Sequence, residues 1–313
     1  VFGDVTRQSV ALALPALAYT AQAPPAAAGA RLALLAAGDA RREPAALAAL
    51  LARLGWRRVA VLSELATRAA LEPARLAPEV VVHVELPGDG ERLDARLVRE
   101  WATRAAAARA HILYVCVEDA RAARAALCAG RGAGLAPRVG AVWLLAGALP
   151  PRWLEPRATD ADVHNCSHAE LLDTAEGYLS ATPAWAADWA PPAEWAARWR
   201  RRCGRGAPAG ACEAPPPAAA LLYDTLRLWA ASLARLLAAD GAAVDDLHRD
   251  DRVRALVEEA GSAPHAGVTG AFEWESAGGA RARAGAMVLR QWRDGRAVRV
   301  GSWRAAGLAL APA

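Results

Sequence analysis

The chain has 313 residues, 55% of them hydrophobic and 22% charged, with a formal net charge of +4. At about 150 residues per domain that length makes two domains, and such a composition excludes disorder over most of the chain. No run of about 18 uninterrupted apolar residues occurs, so no segment is expected to span a bilayer by itself, and none opens the chain as a cleavable leader.

Pro44 at a favoured first helical position, with Leu47, Leu50, Leu51 and Leu54 at i, i+3, i+4 and i+7, predicts a helix over 44–54 that Gly55 ends. Val59-Ala60-Val61-Leu62 is wholly apolar, the mark of a strand buried on both faces. A loosely helical 64–77, broken around Pro73 and Pro78, precedes a strand over 80–86. Leu93, Leu97, Val98 and Trp101 line one side of a helix over 91–109. A strand over 111–117, a helix over 120–129 and a strand over 139–145 follow. Strands alternating with crossover helices make a parallel sheet covered on both faces, so 44–150 reads as doubly wound α/β.

Beyond 150 the pattern changes. Residues 167–178 read as a helix. Trp185, Trp189, Trp195 and Trp199, spaced by four on either side of Pro191-Pro192, suggest two helical pieces with aromatic anchors. A Gly/Pro/Ala loop fills 203–217. A helix over 218–239 carries Leu222, Leu226, Trp229, Leu233, Leu236 and Leu237 on one face. Residues 268–274 and 285–303 are strand-rich and turn through Arg293-Asp294-Gly295. Strands that return long after the βαβ series has ended fit a two-lobed, hinged chain.

Every basic residue is Arg, because the chain has no Lys, and Ala crowds every segment. GC-biased codon usage accounts for both. The densest basic run, 198–205, sits beside the Pro/Gly loop with no aromatic-and-basic module around it, so no nucleic-acid partner is expected. No G-x-S-x-G elbow, phosphate loop or His-Glu-x-x-His helix is present, so neither an enzyme nor a cofactor is expected. Gly130-Arg-Gly-Ala-Gly134 resembles a dinucleotide turn, but it follows a helix and precedes a strand, the reverse of what phosphate binding needs. A helix C-cap with a tight turn is the better reading.

The five cysteines, at 116, 128, 166, 203 and 212, are enough for two bridges and one spare. His164, Cys166 and His168 lie at alternate positions but lack a fourth metal ligand at a recognisable spacing, so no metal is expected. The competing account is a disulfide Cys flanked by exposed His in a glycosylated loop, since Asn165-Cys166-Ser167 is a glycosylation sequon. Glu118 and Asp119 sit just past a strand, where ligands bind in open α/β sheets; the rival reading is a solvated turn that starts the next helix.

Several stretches occur in one order and at near-matching spacing over about residues 17 to 303. They are Leu54-Gly-Trp-Arg-Arg-Val-Ala-Val61, Ala141-Val-Trp-Leu-Leu-Ala-Gly147 with Trp153 six residues on, and Asn165-Cys-Ser167 followed by Glu176-Gly177. To these are added Leu222-Tyr-Asp224, Gly267-Val-Thr-Gly270 and Gln291-Trp-Arg-Asp-Gly-Arg-Ala-Val-Arg-Val-Gly-Ser-Trp303. In them the chain resembles the extracellular Venus-flytrap domain of metabotropic GABA (GABA-B) receptors, a group of class C G-protein-coupled receptors. The resemblance implies a bilobed α/β fold of the type I periplasmic-binding-protein kind, each lobe a mostly parallel sheet with helices on both faces. It places lobe 1, truncated at its N-terminus, at 1–55 and 180–265, and lobe 2 at 56–179 and 266–305. The chain would cross between lobes near 54–58, 176–184 and 262–268. A Cys128–Cys166 bridge is implied, Cys203 and Cys212 would close the Pro/Gly loop, and Cys116 would lie buried in a strand. The family's partners are a second receptor subunit, met through lobe 1, and a G protein, met through a membrane domain outside this chain. Its place is the extracellular side of the cell membrane.

At the family's ligand positions the resemblance puts Thr20, Ala21 and Gln22 where a Ser-rich turn holds the ligand carboxylate. Glu118 or Asp119 falls where a Tyr covers the ligand. A Glu that pairs with the amine falls at Ala218, with Glu213 near enough in sequence to shift into the role. A carboxylate buried without its donors loses about 1–3 kcal/mol per missing hydrogen bond. The expectation is therefore a receptor subunit that does not bind GABA in the usual mode and signals by lobe closure or reorientation within a dimer. A small amino-acid-like ligand stays open, and the alternative is a soluble bacterial periplasmic amino-acid-binding protein.

Overall fold

A computed structural model of the chain describes residues 16–18, 33–64, 67, 71, 76–87, 93–147, 149, 153–155, 166–187, 189–203, 215–240, 249–262, 265–277 and 280–311. The chain divides into two compact units, Arg41–Thr182 with Ala286–Ala313, and Val1–Ala40 with Pro183–Gly285.

The larger unit is built on an eight-stranded sheet. Its strands are β3 (Arg58–Glu64), β4 (Glu79–Leu86), β5 (Ile112–Cys116), β6 (Val142–Ala146), β7 (Leu179–Pro183), β12 (Met287–Arg293), β13 (Arg296–Arg304) and β14 (Gly307–Leu310). They lie in the order β14-β13-β12-β7-β6-β5-β3-β4. β4, β3, β5, β6 and β7 run parallel, and β12, β13 and β14 form an antiparallel meander. Strand side chains alternate between faces, and both faces are covered. On one face Val59, Val61, Ile112, Tyr114, Cys116, Leu144 and Leu289 pack under α1 (Arg42–Leu54), which contributes Ala46, Leu47, Leu50 and Leu51. On the other, Ala60, Leu62, Leu113, Val115, Trp143 and Leu145 pack under α2 (Ala95–Ala107), α3 (Ala120–Gly132) and α4 (His168–Ala175).

The helix ends follow local chemistry. Asp94 caps α2 by accepting from the Arg96 and Leu97 amides, and Ser167 forms a capping box with Glu170 at the start of α4. Gly55 ends α1 at φ 68°. Gly130 lies inside α3, where any Cβ would collide with the Trp143 ring. The Gly130–Gly134 stretch is thus a packed helix end, not a phosphate turn.

The smaller unit has a four-stranded sheet in the order β1 (Ala16–Ala18), β2 (Ala33–Leu35), β11 (Ala280–Arg283), β10 (Trp274–Ala277). A hairpin of β8 (His265–Gly267) and β9 (Gly270–Phe272) accompanies it. Its helices are α5 (Ala184–Ala187), α6 (Ala193–Cys203), α7 (Pro217–Asp240) and α8 (Asp250–Ser262). Leu34, Leu221, Leu228, Val257, Ala260 and Phe272 form the core, with Trp185, Trp229 and Trp274 packed against it. Pro191-Pro192 separates α5 from α6, as expected. The tryptophans anchor these pieces: Trp185 donates to the Ala37 carbonyl at 3.1 Å, Trp189 to Val268 at 2.9 Å, and Trp195 stacks on Trp199.

The boundaries between units differ from those expected. Helix 42–54, expected in lobe 1, belongs to the larger unit, because its leucine stripe covers a sheet face that would otherwise be bare. Residues 266–285, expected in lobe 2, belong to the smaller unit, where β11 pairs in parallel with β2. The passages fall at 40/41, 182/183 and 285/286; only the second lies within an expected crossing. The strand expected over 139–145 begins at Val142, after a short 3-10 turn at Pro137–Val139.

Candidate functional site

The parallel strands of the larger unit end in a group of acidic residues. Glu64, the last residue of β3, accepts hydrogen bonds from the backbone amides of Glu118 at 3.2 Å and Asp119 at 3.4 Å. Those two residues follow β5, the place where open α/β sheets bind ligands. Thr67 braces the same corner by donating to the Cys116 carbonyl at 2.7 Å. Asp119 is exposed, and its carboxylate accepts from the Arg121 amide at 2.9 Å, capping α3. The turn is therefore fastened twice, by the Glu64 carboxylate from β3 and by its own Asp119. Burial raises the Glu64 carboxyl above its ordinary range, against the lowering pull of the two amides.

Beneath this rim lies Glu43, in the first turn of α1, which accepts from the Gly147 amide just past β6 at 3.2 Å. Burial pushes its carboxyl up to about 8. Its neighbours on β5 shift the same way: Cys116, among the described residues the free cysteine, is pushed up to about 12, and Tyr114 lies well above the ordinary tyrosine range, both by burial first. Neither Glu43 nor Glu64 is among the expected site residues. A Glu in a helix's first turn and a Glu closing a strand carry no signal of their own in sequence.

Ser63 on β3 and His83 on β4 meet at 2.9 Å, the contact of a nucleophile with its base. Ser63 is wholly buried in a packed sheet, so the pair works as an internal hydrogen bond.

In the smaller unit two of the quoted motifs come together. Asp224 on α7 is wholly buried and accepts from the Val268 amide (2.7 Å), the Thr269 amide (2.7 Å) and the Thr269 hydroxyl (2.6 Å). Arg283 of β11 donates to the Thr269 hydroxyl and carbonyl and to the Ala271 carbonyl, with its guanidinium 4.0 Å from the Phe272 ring centroid. A Cβ at Gly267 would collide with the Asp224 carboxylate. Leu222-Tyr-Asp224 and Gly267-Val-Thr-Gly270 are thus one clamp on the β8–β9 turn.

The Cys128–Cys166 bridge is formed, with the Cα atoms 5.7 Å apart. Cys203 is disulfide-bonded as well, and its expected partner Cys212 lies outside the described residues. So do Thr20, Ala21, Gln22, Glu213, His164 and Asn165. Among the described residues no cluster of metal-binding side chains occurs, and no helix is long and apolar enough to cross a membrane.

No protein-family model matches the chain, and no curated protein does. Among solved structures the chain is similar to the solute-binding protein of an ABC transporter from R. palustris, crystallised in complex with benzoate. The TM-score is 0.65 at 14% identity, over 99% of this chain and 74% of that one. At that identity the likeness carries the fold: the chain has the α/β fold of a periplasmic binding protein.

Proposed function

We propose that the protein is a solute-binding protein, which captures one small organic molecule and presents it to a membrane transport system outside the cytoplasm. The observation that carries this reading is the likeness, along nearly the whole chain, to a transporter's solute-binding protein. Two features support it. Glu64, Glu118 and Asp119 gather at the strand ends where this class of sheet takes its ligands. Disulfide-bonded Cys128, Cys166 and Cys203 suit an oxidising compartment. Binding without transformation is supported by the burial of Ser63, whose hydroxyl is wholly enclosed in the sheet.

A second reading, a GABA-B-like receptor ectodomain, is favoured by one observation, the bridge between the two cysteines that the resemblance pairs. In that reading the partners are a second subunit and, through a membrane domain, a G protein. A thermal-shift panel of benzoate, other aromatic and aliphatic carboxylates, amino acids and GABA tests the first reading. A true ligand at about 100 times its dissociation constant adds about 2.7 kcal/mol, a rise of several degrees in melting temperature. GABA is expected to give no shift at about millimolar concentration, in line with the missing Ser donors. A panel with no stabilising compound contradicts the solute-binding reading, and a dimer formed without ligand favours the receptor.

A further inference from the structure

None of the 11 residues of α6 is buried, whereas α1, α2 and α3 each bury a stripe. What holds the helix is an aromatic seam. Trp195 and Trp199, four apart and so on one side, stack at 5.9 Å, and Trp195 meets Trp189 at 5.8 Å and Tyr223 of α7 at 6.2 Å. The disulfide at Cys203 ties down its last residue.

The rest of the helix is cationic. Arg198, Arg200, Arg201 and Arg202 are exposed, against Glu194 as the helix's one acid. This single helix thus carries a surplus nearly as large as the +4 of the whole chain. Arg198, Arg201 and Arg202 lie three and four apart, on one side. Arg200 donates to the Ala196 carbonyl of its own helix at 3.4 Å, and among the described residues no carboxylate pairs with any of the four. Elsewhere arginines are matched: Arg58 with Glu79, Arg131 with Asp173, Arg235 with Glu259. Arg227 of α7 adds a fifth exposed cation, over the Tyr223 ring at 5.7 Å. Cations in a last turn favour the helix dipole, an effect confined to that turn. It does not account for Arg198 or Arg227.

The face fits a broad anionic surface. A protein interface is centred on apolar or aromatic anchors, but these indoles are turned onto one another and leave alanine between the arginines. Stacking of nucleic-acid bases needs free aromatic faces as well. Arginines spread over a helix suit an array of phosphates, which each guanidinium meets with two donors at a time.

We propose that the arginine face of α6 docks on the anionic phospholipid headgroups of a membrane and holds the chain at its surface. The choice of a membrane rests on the solute-binding reading, which sets the chain beside one; the charge of the face does not.

The test is co-sedimentation of the full chain with vesicles of phosphatidylcholine alone and of phosphatidylcholine with phosphatidylglycerol. Binding is expected to the mixed vesicles only, and to vanish in about 1 M salt, where screening acts within about 3 Å. Arg201→Gln is expected to weaken it about fivefold, and replacement of all four α6 arginines by Gln to abolish it. Gln keeps the helix propensity, and an unchanged circular dichroism spectrum and melting temperature show that the variants are folded. The control removes the same charge from the larger unit, through Arg53→Gln, Arg57→Gln, Arg96→Gln and Arg99→Gln, and is expected to bind as the parent does. Equal binding to both kinds of vesicle overturns the proposal. So does an affinity unmoved in the α6 variants, or an equal loss in the control. Binding to soluble polyglutamate but not to mixed vesicles assigns the face to an acidic protein and overturns the lipid assignment. The thermal-shift panel contains no lipid, so a failure of the solute-binding reading shows there and a failure of docking shows here.

Discussion

Asp224 shows how much a single buried carboxylate can hold. It takes three hydrogen bonds from one turn, with no exposure to solvent, and Arg283 completes the clamp through Thr269. Asp224→Ala strips three donors of their acceptor at once, for an expected loss of about 3–5 kcal/mol in urea unfolding of the smaller unit. Gly267→Ala drives a methyl into the same carboxylate and is expected to cost about 1–3 kcal/mol. A neutral result for either would mean that the turn stands without the clamp. Titration of other carboxyls sets the pH profile. The folded chain keeps a proton on Glu43 between 4.5 and about 8, where the unfolded chain has lost it. Its contribution is therefore fully present below 4.5 and lost as pH rises through about 8. Asp173, held below its ordinary 3.8 by hydrogen bonds from Arg138 and Arg131, acts with the opposite sign. So does Glu170, lowered from 4.5 by the Ser167 amide and hydroxyl. Their contributions are present above those values and lost on acidification. Melting temperature against pH is expected to pass through a maximum, and Glu43→Gln flattens the alkaline limb alone. A wild-type profile level from about pH 6 to about pH 9 would contradict this assignment.

At the scale of elements, the Cys128–Cys166 bridge joins α3 to the residue before the Ser167 cap of α4, across a sequence separation of 38. Closing a loop of that length is worth about 2–4 kcal/mol. The Cys128→Ala, Cys166→Ala pair is expected to lower stability to denaturant by that amount, and an unchanged midpoint would show that α4 is held by packing and its capping box alone. Much of the layout was legible beforehand. The stripe Leu47, Leu50, Leu51 and the apolar runs of β3 and β5 are periodic signals, and they predict α1 and the parallel strands correctly. Which unit owns α1 was not legible, because ownership depends on the sheet face its stripe covers. For the same reason β10 and β11 were assigned to the wrong unit: β11 pairs with Leu34 and Leu35, far off in sequence. β7 is a central strand written Leu-Ser-Ala-Thr-Pro, too polar to announce itself. α8 was not among the predicted elements, although Val253, Leu256, Val257 and Ala260 keep a regular helical stripe. Of the candidate site, Glu118 and Asp119 could be found from the end of a strand. Glu64 and Glu43 could not, since each acquires its role only through an amide that the fold brings to it.

The whole molecule combines the fold of a solute-binding protein with strand ends that carry their own carboxylates. Where a turn's amides already serve Glu64 and Asp119, a ligand has to find its partners elsewhere along the same edge. Asp119→Ala removes the α3 cap and is expected to cost about 1 kcal/mol of stability. Asp119→Asn keeps an acceptor and most of that stability. Wild-type ligand affinity in both variants assigns Asp119 to the cap, and a loss of affinity common to both assigns it to the ligand. The central claim, capture of a small molecule without chemistry, is tested most directly by calorimetric titration of the intact chain with the stabilising compound from the thermal-shift panel, followed by recovery of that compound. The expected result is saturable binding of one molecule per chain with a dissociation constant below about 100 μM, worth roughly 5.5 kcal/mol, and the compound recovered unchanged. Absence of saturable heat, or recovery of a chemically altered compound, would contradict it.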